Sequence, residues 1–513
     1  MTQTTGVRHM AMRIGGQDVD TTDIFEIRSP ATEELVATAA RGTIQHADQA
    51  VAAARTTFES GVWSTISPQD RSRLMLGIAE VFNERSDEFV ELEMIANGAT
   101  LRQATGFHIG VATMHWTYFA ELAGTYRFES PAPTAKYPTL AQSYIRREPV
   151  GVCAAIAPWN YPLALSLWKV GPALAAGNSI VLKPDEKTPL SMLLFAQMAE
   201  ACGLPPGVLN VVTGVGEEVG AHLAGHPGVD KVAFTGSTAV GRAIMRLASN
   251  TVKNITLELG GKGPVIVLDD ADIPTAVDAA LFGCFLYSGQ MCESGTRLLL
   301  PDSLHDEFVD RLVARAAQIK VGDPNDMETD MGPVVSRAQH DRIMSLIRSG
   351  EEQGAKIVLG GGVPCGEQFE RGFWVEPTIF VDVTNDMRIA QEEIFGPVLS
   401  VLRYHDEDEA IRIANDTDYG LSAAVWSTDD ERALEVGRRI RAGTVWINDV
   451  HNISADAPFG GYKQSGLGRE IGPNCLDAYT EVKNLHLDLS RKLDRRPYDV
   501  LLSKPPTTQG EQR

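Results

Sequence analysis

At 513 residues the chain is too long for one hydrophobic core, so two or three domains are expected. Hydrophobic residues make up 43% and charged residues 22%, ordinary values for a soluble globular protein that exclude a disordered or collagen-like chain. A formal charge of −21 repels nucleic acid and anionic lipid, so neither is an expected partner, and any anionic ligand must be held by local groups.

Residues 1–18 are mixed polar and lack the apolar run of a secretory signal. Apolar runs of strand length then alternate with amphipathic segments of helix length, the pattern of helices covering a parallel sheet. Helices are predicted over 47–58 and 68–83. The block 140–147 (Leu-Ala-Gln-Ser-Tyr-Ile-Arg-Arg) alternates poorly and reads as an inserted hairpin. Strands are predicted at 152–157, 179–182, 209–213, 231–234 and 264–268, with helices at 190–201 and 238–249. The most apolar stretch, 150–177, is cut by Pro158, Pro162, Lys169 and Pro172, which argues against a membrane span. Helices at 305–318, 337–352 and 407–415 follow. The tail from Ser490 to Arg513, rich in Arg, Pro and Gln, is expected to be loosely ordered or docked on a neighbour. Cys153, Cys202, Cys284, Cys292, Cys365 and Cys475 are scattered, with no Cys-x-x-Cys pair. Neither a disulfide framework nor a zinc cluster is indicated, no metal is expected, and a reducing cytoplasm fits best.

Two motifs carry the chemistry. Cys292 lies in Ser288-Gly289-Gln290-Met291-Cys292-Glu293-Ser294-Gly295, and Glu258 lies in Leu257-Glu258-Leu259-Gly260-Gly261-Lys262. A thiol and a carboxylate, each among small flexible residues, suit a covalent thioester that is later hydrolysed. The nucleophile is the thiolate, so Cys292 needs a lowered pKa, and the alternative for any lone cysteine is a small buried hydrophobe. Glu293 would raise that pKa if it pointed inward, and it is expected to point away. Asn160, in Pro158-Trp159-Asn160-Tyr161-Pro162, offers an amide N–H to an oxyanion, or else caps an Asx turn. Lys183 and Glu186 follow a predicted strand, where they would reach a ribose. A carboxylate there repels a 2′-phosphate, and Asp185 adds to that charge. In Gly214-Val215-Gly216-Glu217-Glu218-Val219-Gly220 the last glycine falls one residue late for a dinucleotide fingerprint. The stronger phosphate candidate is Phe234-Thr235-Gly236-Ser237, a strand turning into a helix whose first amides are unpaired; Ser237 equally suits an N-cap.

With these motifs and Pro458-Phe459-Gly460-Gly461-Tyr462-Lys463-Gln464-Ser465-Gly466 downstream, the chain resembles the NAD(P)-dependent aldehyde dehydrogenase superfamily from about Phe25 to about Leu487. The resemblance implies an α/β fold of three parts. A Rossmann-type cofactor domain would take residues 1–127 and 150–259, an α/β catalytic domain 260–465, and a small β oligomerisation arm 128–149 and 478–490, leaving 491–513 as a tail. The arm would pair a β segment near 140–147 with one around 481–487 to build a dimer or tetramer. By the same resemblance Cys292 is the nucleophile, Glu258 the general base and Asn160 the oxyanion donor. Ile156, Ala157, Pro158, Trp159, Lys183, Glu186, Gly216, Gly220, Phe234, Gly236, Ser237, Glu393 and Phe395 would hold NAD, with NADP less favoured.

Specificity is the least legible property. Tyr161, Leu165, Trp168, Met291, Ile453 and Phe459 stand where relatives line the substrate tunnel, although each also suits a core. Trp168 stands where succinate-semialdehyde members carry an arginine, so an ω-carboxylate loses its anchor. The main reading is an uncharged aliphatic or aromatic aldehyde oxidised to its acid. Three alternatives remain: a betaine-aldehyde type, in which Tyr161, Trp168 and Phe459 cage a quaternary ammonium group; a coenzyme-A-acylating enzyme, which Glu258 argues against; and a catalytically silent binding protein.

Overall fold

The computed structural model describes residues 7–491 and 497–502. The tail expectation therefore falls largely outside the described residues; of it, Pro497–Val500 forms one helical turn.

An eight-stranded sheet carries the first half of the chain. Its centre is parallel, in the order Asn254–Glu258, Lys231–Thr235, Val152–Ile156, Ser179–Lys183, Leu209–Val211. Antiparallel strands close both edges, Gly466–Leu467 beside Asn254–Glu258 at one, and Met12–Ile14 followed by Gln17–Val19 beside Leu209–Val211 at the other. The central strands are buried on every residue except the first two of Asn254–Glu258, as expected where helices cover both faces of a parallel sheet. Register aligns Ile156 with Lys183 and Phe234, and Thr235 with Glu258, so the carboxyl ends of these strands form one rim. Open α/β sheets bind ligands at such a rim.

A seven-stranded sheet carries the second half, in the order Lys356–Leu359, Thr378–Val381, Val398–Tyr404, Arg297–Pro301, Pro264–Val267, Ser422–Trp426, Thr444–Ile447. Only its first strand runs antiparallel. A third sheet pairs Ala141–Pro149 with Thr480–Asp488 along the whole of both strands, Glu148 opposite Glu481 and Gln142 opposite Leu487. Glu129–Pro131 pairs with the other edge of Ala141–Pro149.

All the predicted helices form, with ends shifted by a few residues. Among the described residues, five helices of ten residues or more escaped prediction: Ser86–Asn97, Gly110–Thr125, Pro162–Ala176, Ile273–Phe285 and Asp430–Arg439. Pro162–Ala176 is buried at every position, so its sequence shows no polar stripe and no helical period. Pro162 stands at its first turn, where a missing N–H costs nothing, and Gly177 ends it at φ 95°. Of the seven-stranded sheet, only Pro264–Val267 was predicted as a strand.

Candidate active site

Cys292 follows the turn Leu286–Gly289, in which Tyr287 (φ 51°) and Ser288 (φ 55°) adopt left-handed backbone. Such strain persists only when the surroundings impose it. Ser288 Oγ donates to the Gly332 carbonyl at 2.7 Å, and the Gln290 side chain accepts from Val335 N at 2.9 Å. These bonds tie the turn to the segment 332–335, and the partly buried thiol lines two cavities.

The first cavity, about 240 Å³, opens at the rim of the eight-stranded sheet. Pro158, Trp159, Asn160, Gly236, Ser237, Glu258, Glu393 and Phe395 line it beside Cys292, all of them singled out from sequence. Thr235, Leu259, Gly260, Gln339 and Arg342 also line it and were missed. Ile156, Ala157, Lys183, Glu186, Gly216, Gly220 and Phe234 do not border it. Ile156, Lys183 and Phe234 are buried strand residues of the rim, and Ala157 follows it. Gly216 and Gly220 bound the helical turn Gly216–Gly220. Lys183 Nζ pairs with Glu186 Oε2 at 2.8 Å; burial would raise the Glu186 pKa, but Lys183 outweighs it and holds the carboxyl below its ordinary value.

Trp159 and Phe395 face one another edge to face, ring centroids 5.3 Å apart. Phe395 also has left-handed backbone (φ 58°), held by Gln339 Nε2 donating to its carbonyl at 2.8 Å. Glu393 accepts from Gly261 N at 2.9 Å, and burial pushes its pKa up to about 7. A Cβ at Gly260 would sit 2.3 Å from Glu393 Oε2, so the close approach requires glycine there. Ser237 caps the following helix, accepting from Val240 N at 3.4 Å.

Glu258 ends its strand buried, and neither carboxyl oxygen has a hydrogen-bond partner among the described residues. Burial first, then the negative charge of Glu470, raises its pKa well above the ordinary carboxylate value; Lys169 and Arg469 oppose the shift. Glu470 is itself paired with Lys169 at 2.9 Å, and Lys169 also donates to Thr235 Oγ1 at 2.6 Å. Gly460 leaves room for Glu258, since a Cβ there would meet Oε1 at 2.7 Å. Asn160 donates one amide N–H to the Gln290 carbonyl at 3.0 Å.

The second cavity, about 60 Å³, is lined by Tyr161, Leu165, Trp168, Met291, Ile453 and Phe459, all six of the sequence-derived tunnel candidates, together with Asn160 and Cys292. Phe107, Val111, Ala164, Glu293 and His451 complete it and were missed. Phe107 lies on the wide helical turn Ala104–Ile109, a geometry frequent at functional sites, but no sequence signal marks such a turn.

One expectation is corrected. Glu293 points inward: its Oε2 accepts from the Cys292 thiol at 3.2 Å, and its Oε1 lies 3.3 Å from His451 Nδ1. A buried carboxylate requires partners, and His451, far along the chain, is one that local sequence could not reveal. Packing around the thiol, then the charge of Glu293, pushes the Cys292 pKa well above the ordinary thiol value.

Away from these cavities, Asp48, His222 and His226 are the group with metal-binding spacing among the described residues. Gly228 N donates to His226 Nδ1 at 2.9 Å, which places the ring proton on Nε2, facing Asp48 at 3.2 Å. A metal on that nitrogen would need the opposite tautomer.

Residues 17–485 match the model of the aldehyde dehydrogenase family. The chain belongs to this family. Among its relatives, a betaine aldehyde dehydrogenase of Bacillus subtilis (strain 168) is 46% identical over 90% of this chain and 94% of its own. An aldehyde dehydrogenase of Emericella nidulans is 44% identical over 91% and 93%. Among solved structures, the NAD+ complex of a Staphylococcus aureus betaine aldehyde dehydrogenase superposes with a TM-score of 0.92 at 40% identity, covering 94% of this chain and 95% of its own. The NAD+ complex of a Bacillus cereus aldehyde dehydrogenase gives 0.91 at 42%, covering 94% and 97%. The coverage places the two cavities within the part shared with other aldehyde dehydrogenases. No helix of this family member is long and apolar enough, among the described residues, to cross a membrane.

Proposed function

We propose that the chain oxidises uncharged aliphatic or aromatic aldehydes to carboxylic acids with NAD, through a thioester on Cys292. The observation that carries this reading is that Cys292 and Asn160 border both cavities, one at the sheet rim and one lined by apolar side chains. The rim cavity suits a dinucleotide: it lies at the carboxyl ends of parallel strands, bordered by Trp159 and Phe395, with Glu393 held at its wall. Trp159, Glu393 and Phe395 would hold the nicotinamide end, Gly236 and Ser237 the pyrophosphate, and Lys183 with Glu186 the adenosine ribose. The paired Glu186 carboxylate favours NAD over NADP.

The apolar cavity orients the aldehyde carbonyl toward Sγ. As sulfur adds to the carbonyl carbon, the thiol passes its proton to Glu293 Oε2, which it meets at 3.2 Å, and the carbonyl electron pair moves to oxygen. Asn160, with one N–H on Gln290, turns its second N–H to that oxyanion, together with the Cys292 backbone N–H; one such donor is worth about 2.7–4 kcal/mol of barrier. NAD, when bound, supplies the acceptor for the aldehyde hydrogen, whose departure as hydride leaves the acyl group on sulfur. Glu258, unpaired and beside the thiol, takes a proton from the water that attacks the thioester, and the acid leaves as Cys292 regains its proton.

A second reading is supported by the cage candidates Tyr161, Trp168 and Phe459 in one cavity and by the names of the betaine aldehyde relatives. Hexanal, benzaldehyde and betaine aldehyde compared by NADH absorbance, with NAD and NADP and a C292A control, separate the two. Activity on uncharged aldehydes lost in C292A is expected; a sharp preference for betaine aldehyde would establish the cage, and a requirement for added thiol would establish coenzyme-A acylation.

The same reading divides the chain as the family resemblance implies: 1–127 with 150–259 for the cofactor, 260–465 for catalysis, and 128–149 with 478–490 as an arm. A homodimer or homotetramer is proposed, since the edge strand Thr480–Asp488 exposes Val482, Leu485 and Leu487. A cytoplasmic location is proposed from six cysteines with no disulfide.

A further inference from the structure

We infer that His115 positions the aldehyde-tunnel wall and thereby sets the size of aldehyde accepted: it pins the indole of Trp168 and the loop carrying Ile453 at the same time. The inference rests on reading the apolar cavity as the aldehyde tunnel.

His115 lies on the helix Gly110–Thr125, wholly buried behind the cavity, which it does not line. Trp168 Nε1 donates to His115 Nδ1 at 2.6 Å, and His115 Nε2 lies 3.2 Å from the Ile453 carbonyl oxygen. An indole nitrogen only donates and a carbonyl only accepts, so both bonds demand the same neutral ring, bare at Nδ1 and protonated at Nε2. Burial favours that form, pushing the His115 pKa down to about 4 despite the Ile453 carbonyl. The two walls so joined belong to segments far apart in the chain: Trp168 on the helix Pro162–Ala176, and Ile453 on a loop after the strand Thr444–Ile447. Val111, one helical turn before His115, lines the same cavity.

Two consequences follow for the tunnel. The Trp168 N–H is spent behind the wall, so the indole presents only carbon to the aldehyde. The ring is also held in one pose, edge to face with Phe459 at 5.5 Å between centroids. Without an acceptor the buried N–H would be left unpaired, and the ring would turn to seek one.

The test is steady-state kinetics with acetaldehyde, hexanal and benzaldehyde on the full-length enzyme. For H115L, KM for hexanal and benzaldehyde is expected to rise about tenfold, against less than about twofold for acetaldehyde, the size of one lost buried hydrogen bond. H115Q, whose carbonyl accepts from the indole and whose amide donates to Ile453, is expected to return KM to within about threefold of wild type. A merely structural role would lower the unfolding temperature without the size-dependent split. Should H115L fail to fold, H115F, which keeps a ring in that place without an acceptor for the indole, is expected to give the same split. An active wild type whose variants raise KM equally for all three aldehydes, or for none, overturns the role of His115. A wild type silent with every aldehyde overturns the tunnel reading, and this inference with it.

Discussion

The thiol of Cys292 meets the carboxylate of its own chain neighbour, and that contact adds to burial in keeping the thiol protonated. With Oε2 of Glu293 at 3.2 Å, the negative charge disfavours the thiolate. Glu293→Gln removes the charge and keeps an acceptor, so the thiol pKa falls and alkylation by iodoacetamide at pH 7 is expected to become several-fold faster. An unchanged rate would mean that the carboxylate does not control the thiol. Glu258 makes the complementary case: as the proposed base, its raised pKa lets it act only above that value, so hydrolysis is expected to decline as pH falls through it. For Glu258→Gln, the pre-steady-state burst of NADH is expected to persist while steady turnover falls by about 10²–10⁴-fold. Loss of the burst together with turnover would place Glu258 in the first chemical step instead.

The segment 259–263, which joins the strand Asn254–Glu258 to the strand Pro264–Val267, carries Lys262 from one large sheet to the other. Its ammonium is buried, has no hydrogen-bond partner among the described residues, and burial pushes its pKa down to about 7. The unfolded chain holds that proton up to about pH 10.5 and the folded chain only to about 7, so stability rises with pH across this window. Below pH 7 the folded state must bury the charge. Lys262→Met, similar in length and neutral, is therefore expected to raise the thermal midpoint over wild type, by more at pH 6 than at pH 9. A gap independent of pH would contradict the depressed pKa. The neighbouring Gly260 and Gly261 belong to the same segment, because Glu393 and the Cys292 carbonyl approach too closely for a Cβ at either position.

At the scale of the whole molecule, the long pairing of Ala141–Pro149 with Thr480–Asp488 leaves an edge strand whose apolar side chains face out. Leu485 and Leu487 lie two residues apart and share a face of the sheet. The double variant L485D/L487D is expected to reduce a native oligomer to folded monomers, read by light scattering with circular dichroism as the control. A wild type that is already monomeric would remove the arm reading.

From sequence alone, Cys292, Glu258 and Asn160 could be singled out because each sits in a short motif whose spacing is local. Amphipathic helices such as Arg337–Glu352 and buried strands such as Ser179–Lys183 were legible for the same reason, their periods being written in adjacent residues. The helix Pro162–Ala176 was not, because a segment buried on every side shows no period. Nor were His451 beside Glu293, Gln339 behind Phe395, or His115 behind Trp168, since each acts through a partner tens to hundreds of residues away. The inward turn of Glu293 was decided by that kind of partner. Sequence by itself determined the family and the reaction class; only the tertiary structure decided the charge around the thiol and the shape of the apolar cavity, because both depend on side chains that the fold alone brings together.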